Sequence, residues 1–324
     1  MTVTTAIKAG ASDGQRGEFR IALDLIHAGR TDLTIRYEIA GSQHAPVIIV
    51  AGGISAGRHA VANEHDRSHG WWQGQSNTFK HYRLLSIDWI GAAGDLDRPI
   101  DAVDQARALE ATINELRIPR TVAFIGASYG AMVGMHCTAA TPDRVPALLA
   151  ISAAHRSHSF TSAQRALQRQ AVELGERLGS PEAGVALARK LAILTYRTPE
   201  EFAERFASPT AIELDRARAS AEPYLDHMGA KHSSHISAVA YRRLSESIDL
   251  HCIDPTSITV PATFVAVESD QLVPAADTRT LANAVSGSRF ITIPSLYGHD
   301  AFLKEERAVA TIIESFLNSL EQSQ

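Results

Sequence analysis

The sequence predicts an α/β domain built on a mainly parallel sheet, with a helical insertion placed late in the chain. Three observations carry this. Short apolar runs alternate with helix-length segments through the first half. From about 161 to 250 the texture turns to Ala, Arg, Glu and Leu with almost no strand signal, and strand signals then resume.

The candidate strands are "LTIRYEIA" from Leu33, "PVIIVAG" from Pro46, "YRLLSID" from Tyr82, "TVAFIG" from Thr121 and "ALLAIS" from Ala147. The later runs are almost unbroken in apolar character, as expected of strands covered on both faces. Between them, Asp101 to Ile118 repeats Ala, Leu and Ile at spacings of three and four, which predicts a helix and right-handed crossovers. The insertion is broken at "GSPEAG", "TPEE" and "SPT", so it reads as several helices. After it come "ATFVAV" from Ala262, "RFITI" from Arg289 and the amphipathic "ERAVATIIESFLNSL". The expected organisation is a loose N-terminus over 1–17, a core formed by 18–156 and 255–324, and a helical cap over 157–254.

Composition narrows the function classes. A chain of 324 residues can bury a sizeable core, and with 45% hydrophobic and 21% charged residues it reads as a soluble globular protein. The net charge of -5 is spread along the chain, which argues against a nucleic-acid partner. Most positive charge sits on arginine, whose planar fork suits carboxylate or phosphate. Cys137 and Cys252 are too few for a disulfide framework or a cysteine zinc site, so a reducing compartment and no metal are expected. The N-terminus has no apolar core of signal-peptide length, and no run of 18 apolar residues occurs; the expected location is the cytoplasm, with no membrane partner.

The stretch "AFIGASYGAM" holds the pattern G-x-S-x-G at Gly126, Ser128 and Gly130, between a strand and a helix pattern. A turn that sharp leaves no room for a Cβ at either glycine, and it stands the serine above the C-terminal edge of the sheet. A serine hydroxyl needs a base, and the base needs an orienting group. Asp270 in "VAVESDQLVP" and His299 in "SLYGHDAF" each fall in a loop after a late strand, in the order Ser, Asp, His expected of α/β-hydrolases. Glu268 competes for the acid position, and Asp254 reads as a turn cap before Pro255. The oxyanion donors are expected to be the backbone N–H of Tyr129 and that of Ile54, in the loop "GGISAGRH" after the second of these strands.

"GHDAFL", the segment "LARKLAILTYRTPEEFAERF" and the elbow together resemble the homoserine O-acyltransferases of α/β-hydrolase fold, through roughly Leu33 to Leu317. The resemblance implies acyl transfer from acyl-CoA to the hydroxyl of L-homoserine through an acyl-serine, in methionine biosynthesis, by a homodimer. Acyl-CoA is then a co-substrate, with no permanently bound cofactor. Carried over by position, Arg189 would meet the homoserine carboxylate, with Tyr196 nearby, and Asp300 its ammonium. The elbow "GASYGAM" and the loop "GGISAGRH" differ from the acetyl-transferring members and look more like a short subgroup associated with succinyl transfer. Arg58 beside that loop is a candidate contact for a distal acyl carboxylate or for CoA. The alternatives are an L-serine O-acyltransferase, an esterase or thioesterase using the same triad with water, and an inactive binding module.

Overall fold

The computed structural model describes residues 15–322. Strands β1 (Gln15–Leu25) and β2 (Gly29–Ala40) form a long antiparallel hairpin. β1 corrects the sequence reading: Gln15 pairs with Ile39 and Gly17 with Tyr37, so 15–17 are strand and not loose chain. The remainder of that expected loose segment lies outside the described residues. The reason is positional. β1 is an edge strand whose exposed Glu18, Arg20 and Asp24 alternate with Phe19, Ile21 and Leu23, so it spells no apolar run.

The chain continues through β3 (Val47–Ala51), β4 (Arg83–Ile87), α1 (Ala102–Glu115), β5 (Ala123–Ala127), α2 (Tyr129–Ala140) and β6 (Leu148–Ile151). Asp101 starts α1 by accepting from the Val103 N–H, while Asp104 reaches back to the Asp101 N–H, a reciprocal cap that satisfies otherwise orphaned donors. The insertion holds α3 (Ser159–Arg177), α4 (Pro181–Tyr196), α5 (Pro199–Arg205), a small hairpin of β7 (Ala211–Glu213) and β8 (Arg216–Arg218), α6 (Glu222–Ser233) and α7 (Ala238–Leu250). The core resumes with β9 (Ala262–Val267), α8 (Ala275–Ala284), β10 (Arg289–Ile293), α9 (Ala301–Lys304) and α10 (Glu306–Glu321).

The main sheet has eight strands in the order β1-β2-β4-β3-β5-β6-β9-β10, parallel from β4 onward. β5, β6 and β9 are buried at every position, which explains their continuous apolar spelling. Helices α1, α2 and α8 cover one face, and α10 with Trp72 and Phe79 covers the other. The insertion leaves after β6 and returns to β9, its neighbour in the sheet, and Arg156 bridges to Cys252 across its base.

Two consequences position the site. The parallel strands all end at one edge, so the loops after β3, β5, β9 and β10 converge there. The chain also steps from β3 to β4 on one side and places β5 on the other. The crevice between β3 and β5 is therefore a topological switch point, the usual place for a ligand in an open α/β sheet.

Candidate active site

Ser128 directly follows β5 and holds φ 55° and ψ -123°, a left-handed conformation that a side-chain-bearing residue adopts only when its surroundings impose it. The packing supplies that constraint. A Cβ on Gly126 would lie 2.6 Å from the Gly130 carbonyl oxygen, and one on Gly130 would run into the carbonyls of Ala51 and Gly52. The Gly130 N–H donates to the Gly52 carbonyl and the Ser128 N–H to that of Ile151, so the turn is tied to the loops on both sides.

The three expected residues meet. The Ser128 hydroxyl and His299 Nε2 are 2.7 Å apart, and His299 Nδ1 lies 2.7 Å from Asp270 Oδ2. The other carboxylate oxygen of Asp270 accepts the N–H groups of Leu272 and Val273 at 2.8 and 2.9 Å, so the acid is fixed at both oxygens. Asp270 and His299 are buried, whereas the competing Glu268 is exposed. Burial presses the His299 pKa down, but the charge and hydrogen bond of Asp270 outweigh it, and the net displacement is upward from the ordinary imidazole value. Asp254 caps the turn at Pro255–Ser257, accepting from the Thr256 N–H.

The oxyanion candidates are the backbone N–H groups of Tyr129 and Ile54. Tyr129 is the first residue of α2, where an N–H has no intrahelical acceptor, and a Cβ placed on Gly53, which precedes Ile54, would lie 3.9 Å from the Ser128 Cβ. Beyond Ile54 opens a cavity under the cap, lined among others by Arg165, Arg189, Tyr196, Tyr241 and Leu272. It continues into a cleft of about 400 Å³ that shares Ile54, Ser55 and Arg189 and reaches Lys231 and His235.

Of the substrate-holding candidates, Tyr196 ends α4 and its ring faces that of His299, with centroids 6.1 Å apart. The Arg189 guanidinium lies over the same ring at 5.3 Å, and its buried Nε has no hydrogen-bond partner among the described residues. Asp300 is not an isolated carboxylate: Arg197 Nε holds its Oδ2 at 2.9 Å while also bonding Glu201. Arg58 is not brought to the cavity. Its N–H donates to Asp88 and its guanidinium lies between Asp88 and the Gly17 carbonyl.

Sequence reasoning missed Arg165 and Arg197. Arg165 is buried in α3 and shares Asp249 with Arg169, two cations on one carboxylate. Within an arginine-rich cap neither residue carries a distinguishing mark; only the pairing "YR" at Tyr196–Arg197, next to a singled-out residue, pointed there.

A strained serine elbow at a sheet edge, bonded in series to histidine and aspartate, defines a serine-nucleophile enzyme on an α/β-hydrolase scaffold. The model of the α/β hydrolase fold family matches residues 45–306. A homoserine O-succinyltransferase from Xanthomonas campestris pv. campestris is 44% identical over 98% of this chain and 88% of its own. A homoserine O-acetyltransferase from Chlorobium chlorochromatii is 27% identical over 90% of this chain and 91% of its own. Among solved structures, the homoserine O-acetyltransferase from Bacillus anthracis superposes with a TM-score of 0.85, covering 95% of this chain and 98% of that one at 17% identity, a likeness of fold. The chain belongs to the homoserine O-acyltransferase family of the α/β-hydrolase fold.

Proposed function

We propose that this protein moves an acyl group, succinyl in preference to acetyl, from acyl-CoA to the side-chain hydroxyl of L-homoserine through an ester on Ser128, in methionine biosynthesis. The observation that carries this reading is the pair of guanidiniums, Arg165 and Arg189, lining one cavity beside the triad. Homoserine brings one carboxylate and a succinyl group a second, whereas an acetyl group brings none. Two cations in one pocket suit two anionic groups: the Arg189 Nε has no partner among the described residues, and Arg165 shares the single charge of Asp249 with Arg169, which leaves net positive charge at the cavity wall. The 44% identical succinyltransferase supports the same donor.

In the first half-reaction His299 Nε2 takes the Ser128 proton as Oγ attacks the thioester carbonyl. The oxyanion rests on the N–H groups of Ile54 and Tyr129. The C–S bond breaks, and CoA leaves as a thiol carrying the proton from His299. In the second half the homoserine hydroxyl, deprotonated by His299, attacks the Ser128 ester, and Ser128 Oγ leaves with that proton. Arg189 is the candidate for the homoserine carboxylate, and Asp300, held in place by Arg197, for its ammonium. Transfer outruns hydrolysis because the cap shields the ester from water and holds the acceptor near attack distance. Acyl-CoA acts as co-substrate, and the reaction belongs to the cytoplasm.

The reading is tested by CoA release with succinyl-CoA or acetyl-CoA, each with homoserine, serine or no acceptor. Succinyl-CoA with homoserine is expected to be fastest. Arg165→Leu is expected to lower kcat/KM for succinyl-CoA about 30-fold, the size of one lost charge-assisted pair of roughly 2 kcal/mol, and to leave acetyl-CoA nearly unaffected. Release indifferent to the acceptor would mean a thioesterase, and equal loss with both donors would remove Arg165 from acyl selection.

The same proposal includes a homodimer. Phe160, Leu167 and Leu174 lie exposed at seven-residue spacing on α3, and Leu187, Leu191 and Leu194 at spacings of four and three on α4. Side chains so spaced share one helix face, and an apolar stripe of that length is commonly covered. Light scattering is expected to give a dimeric mass that falls to a monomer in Leu174→Glu; a monomeric wild type would refute it.

A further inference from the structure

We infer that Trp89 is a positioning residue that sets both oxyanion donors; this rests on the acyl-Ser128 reading above. Trp89 is buried just beyond β4, and its indole Nε1–H donates to the Gly53 carbonyl at 3.1 Å. A peptide unit is planar, so in a trans peptide the Gly53 C=O and the Ile54 N–H point in opposite directions. Holding the carbonyl on the indole turns the Ile54 N–H away from Trp89. Gly53 itself borders the nucleophile: a Cβ placed there would lie 3.9 Å from the Ser128 Cβ. The Ala56 N–H donates to the same carbonyl at 2.9 Å, so this peptide is held from within its own loop and from β4.

The same indole meets the ring of Tyr129 edge-on, with centroids 5.0 Å apart and planes at 77°. Tyr129 is wholly buried, and its hydroxyl bonds Ser247 Oγ on α7 at 2.5 Å. A ring held at both ends leaves the Tyr129 backbone N–H little freedom at the start of α2. Trp89 is anchored in turn, because the buried Gln105 side chain accepts the Ile90 N–H at 2.8 Å and donates to the Ile90 carbonyl at 3.1 Å. One indole therefore spans the switch-point crevice and links the loop after β3 to the turn after β5. A missing oxyanion donor costs roughly 10²–10³ in kcat, so loosening donors that remain present costs less.

Trp89→Phe keeps an aromatic ring against Tyr129 and removes the N–H. Benzothienylalanine at 89 removes the N–H while keeping the indole shape, which covers failure of the phenylalanine variant to fold. With succinyl-CoA and saturating homoserine, kcat for CoA release is expected to fall about tenfold while KM for succinyl-CoA stays within about twofold. The inhibition constant of phenylboronic acid, whose tetrahedral anion on Ser128 needs the same donors, is expected to rise about tenfold. An unchanged kcat overturns the inference. So does a lower kcat with unaltered boronate affinity, which would place the effect outside the oxyanion site. Should the wild type prove indifferent to homoserine, the transferase reading fails, and the boronate comparison still decides the role of Trp89.

Discussion

Ser128→Ala is expected to abolish the acyl-enzyme and to lower transfer by on the order of 10⁶-fold, the loss seen when a triad nucleophile is removed. The structure makes this substitution clean. Alanine keeps the Cβ, so the left-handed backbone at φ 55° bears the same strain as before. The serine side chain makes no capping bond to α2, and among the described residues its one hydrogen bond is to His299, so that contact is what the fold gives up there. Thermal stability should stay close to wild type. Intact-protein mass spectrometry after mixing with succinyl-CoA, without acceptor, should show the acyl increment on wild type and none on the variant. An adduct persisting in the variant, or an activity loss below about 100-fold, would mean that another group attacks the thioester.

The legibility of this site follows from where its residues lie along the chain. Ser128 and Asp270 follow the buried strands β5 and β9 closely, His299 follows the edge strand β10, and a parallel sheet sends all such loops to one edge. Order and spacing therefore sufficed to bring them together before any coordinates. The same logic places Ile54 after β3. Arg165 and Trp89 were not readable in this way. Arg165 reaches the cavity from the middle of α3, and nothing in helical periodicity tells a cavity-facing arginine from Arg169 one turn on. Trp89 spells like any core aromatic, and its role depends on a hydrogen bond across 36 residues of chain. Arg58 shows the opposite limit of such reading. Proximity in sequence to the oxyanion loop suggested a contact, but Asp88 on the neighbouring loop captures its main-chain N–H and lies within 3.6 Å of its guanidinium. β1 escaped because pairing at a sheet edge needs no continuous apolar run.

Asp270→Asn is the second large effect, an expected loss of about 10⁴ in kcat with the fold intact, and the hydrogen bonds of Asp270 say why. Oδ1 accepts two backbone N–H groups, from Leu272 and Val273, while Oδ2 faces His299 Nδ1. An asparagine must keep its carbonyl oxygen on the two backbone donors, since the amide nitrogen cannot accept there. Its NH₂ then faces His299 and donates to Nδ1, which moves the ring proton to Nε2. In that tautomer Nε2 cannot take the Ser128 proton, so the base is lost through the wrong placement of one hydrogen. The pH profile gives a second readout. Acylation requires neutral His299, so the wild-type rate should drop as pH falls through a pKa raised above the ordinary imidazole value by the charge of Asp270. In the variant that charge is gone while burial still favours the neutral ring, and the residual acid limb should move to lower pH. A variant with near wild-type kcat, or an acid limb that stays in place, would show that Asp270 neither fixes the tautomer nor raises the pKa. The acid of the site would then have to be sought elsewhere, with Asp300, whose charge also acts on His299, as the next carboxylate to replace.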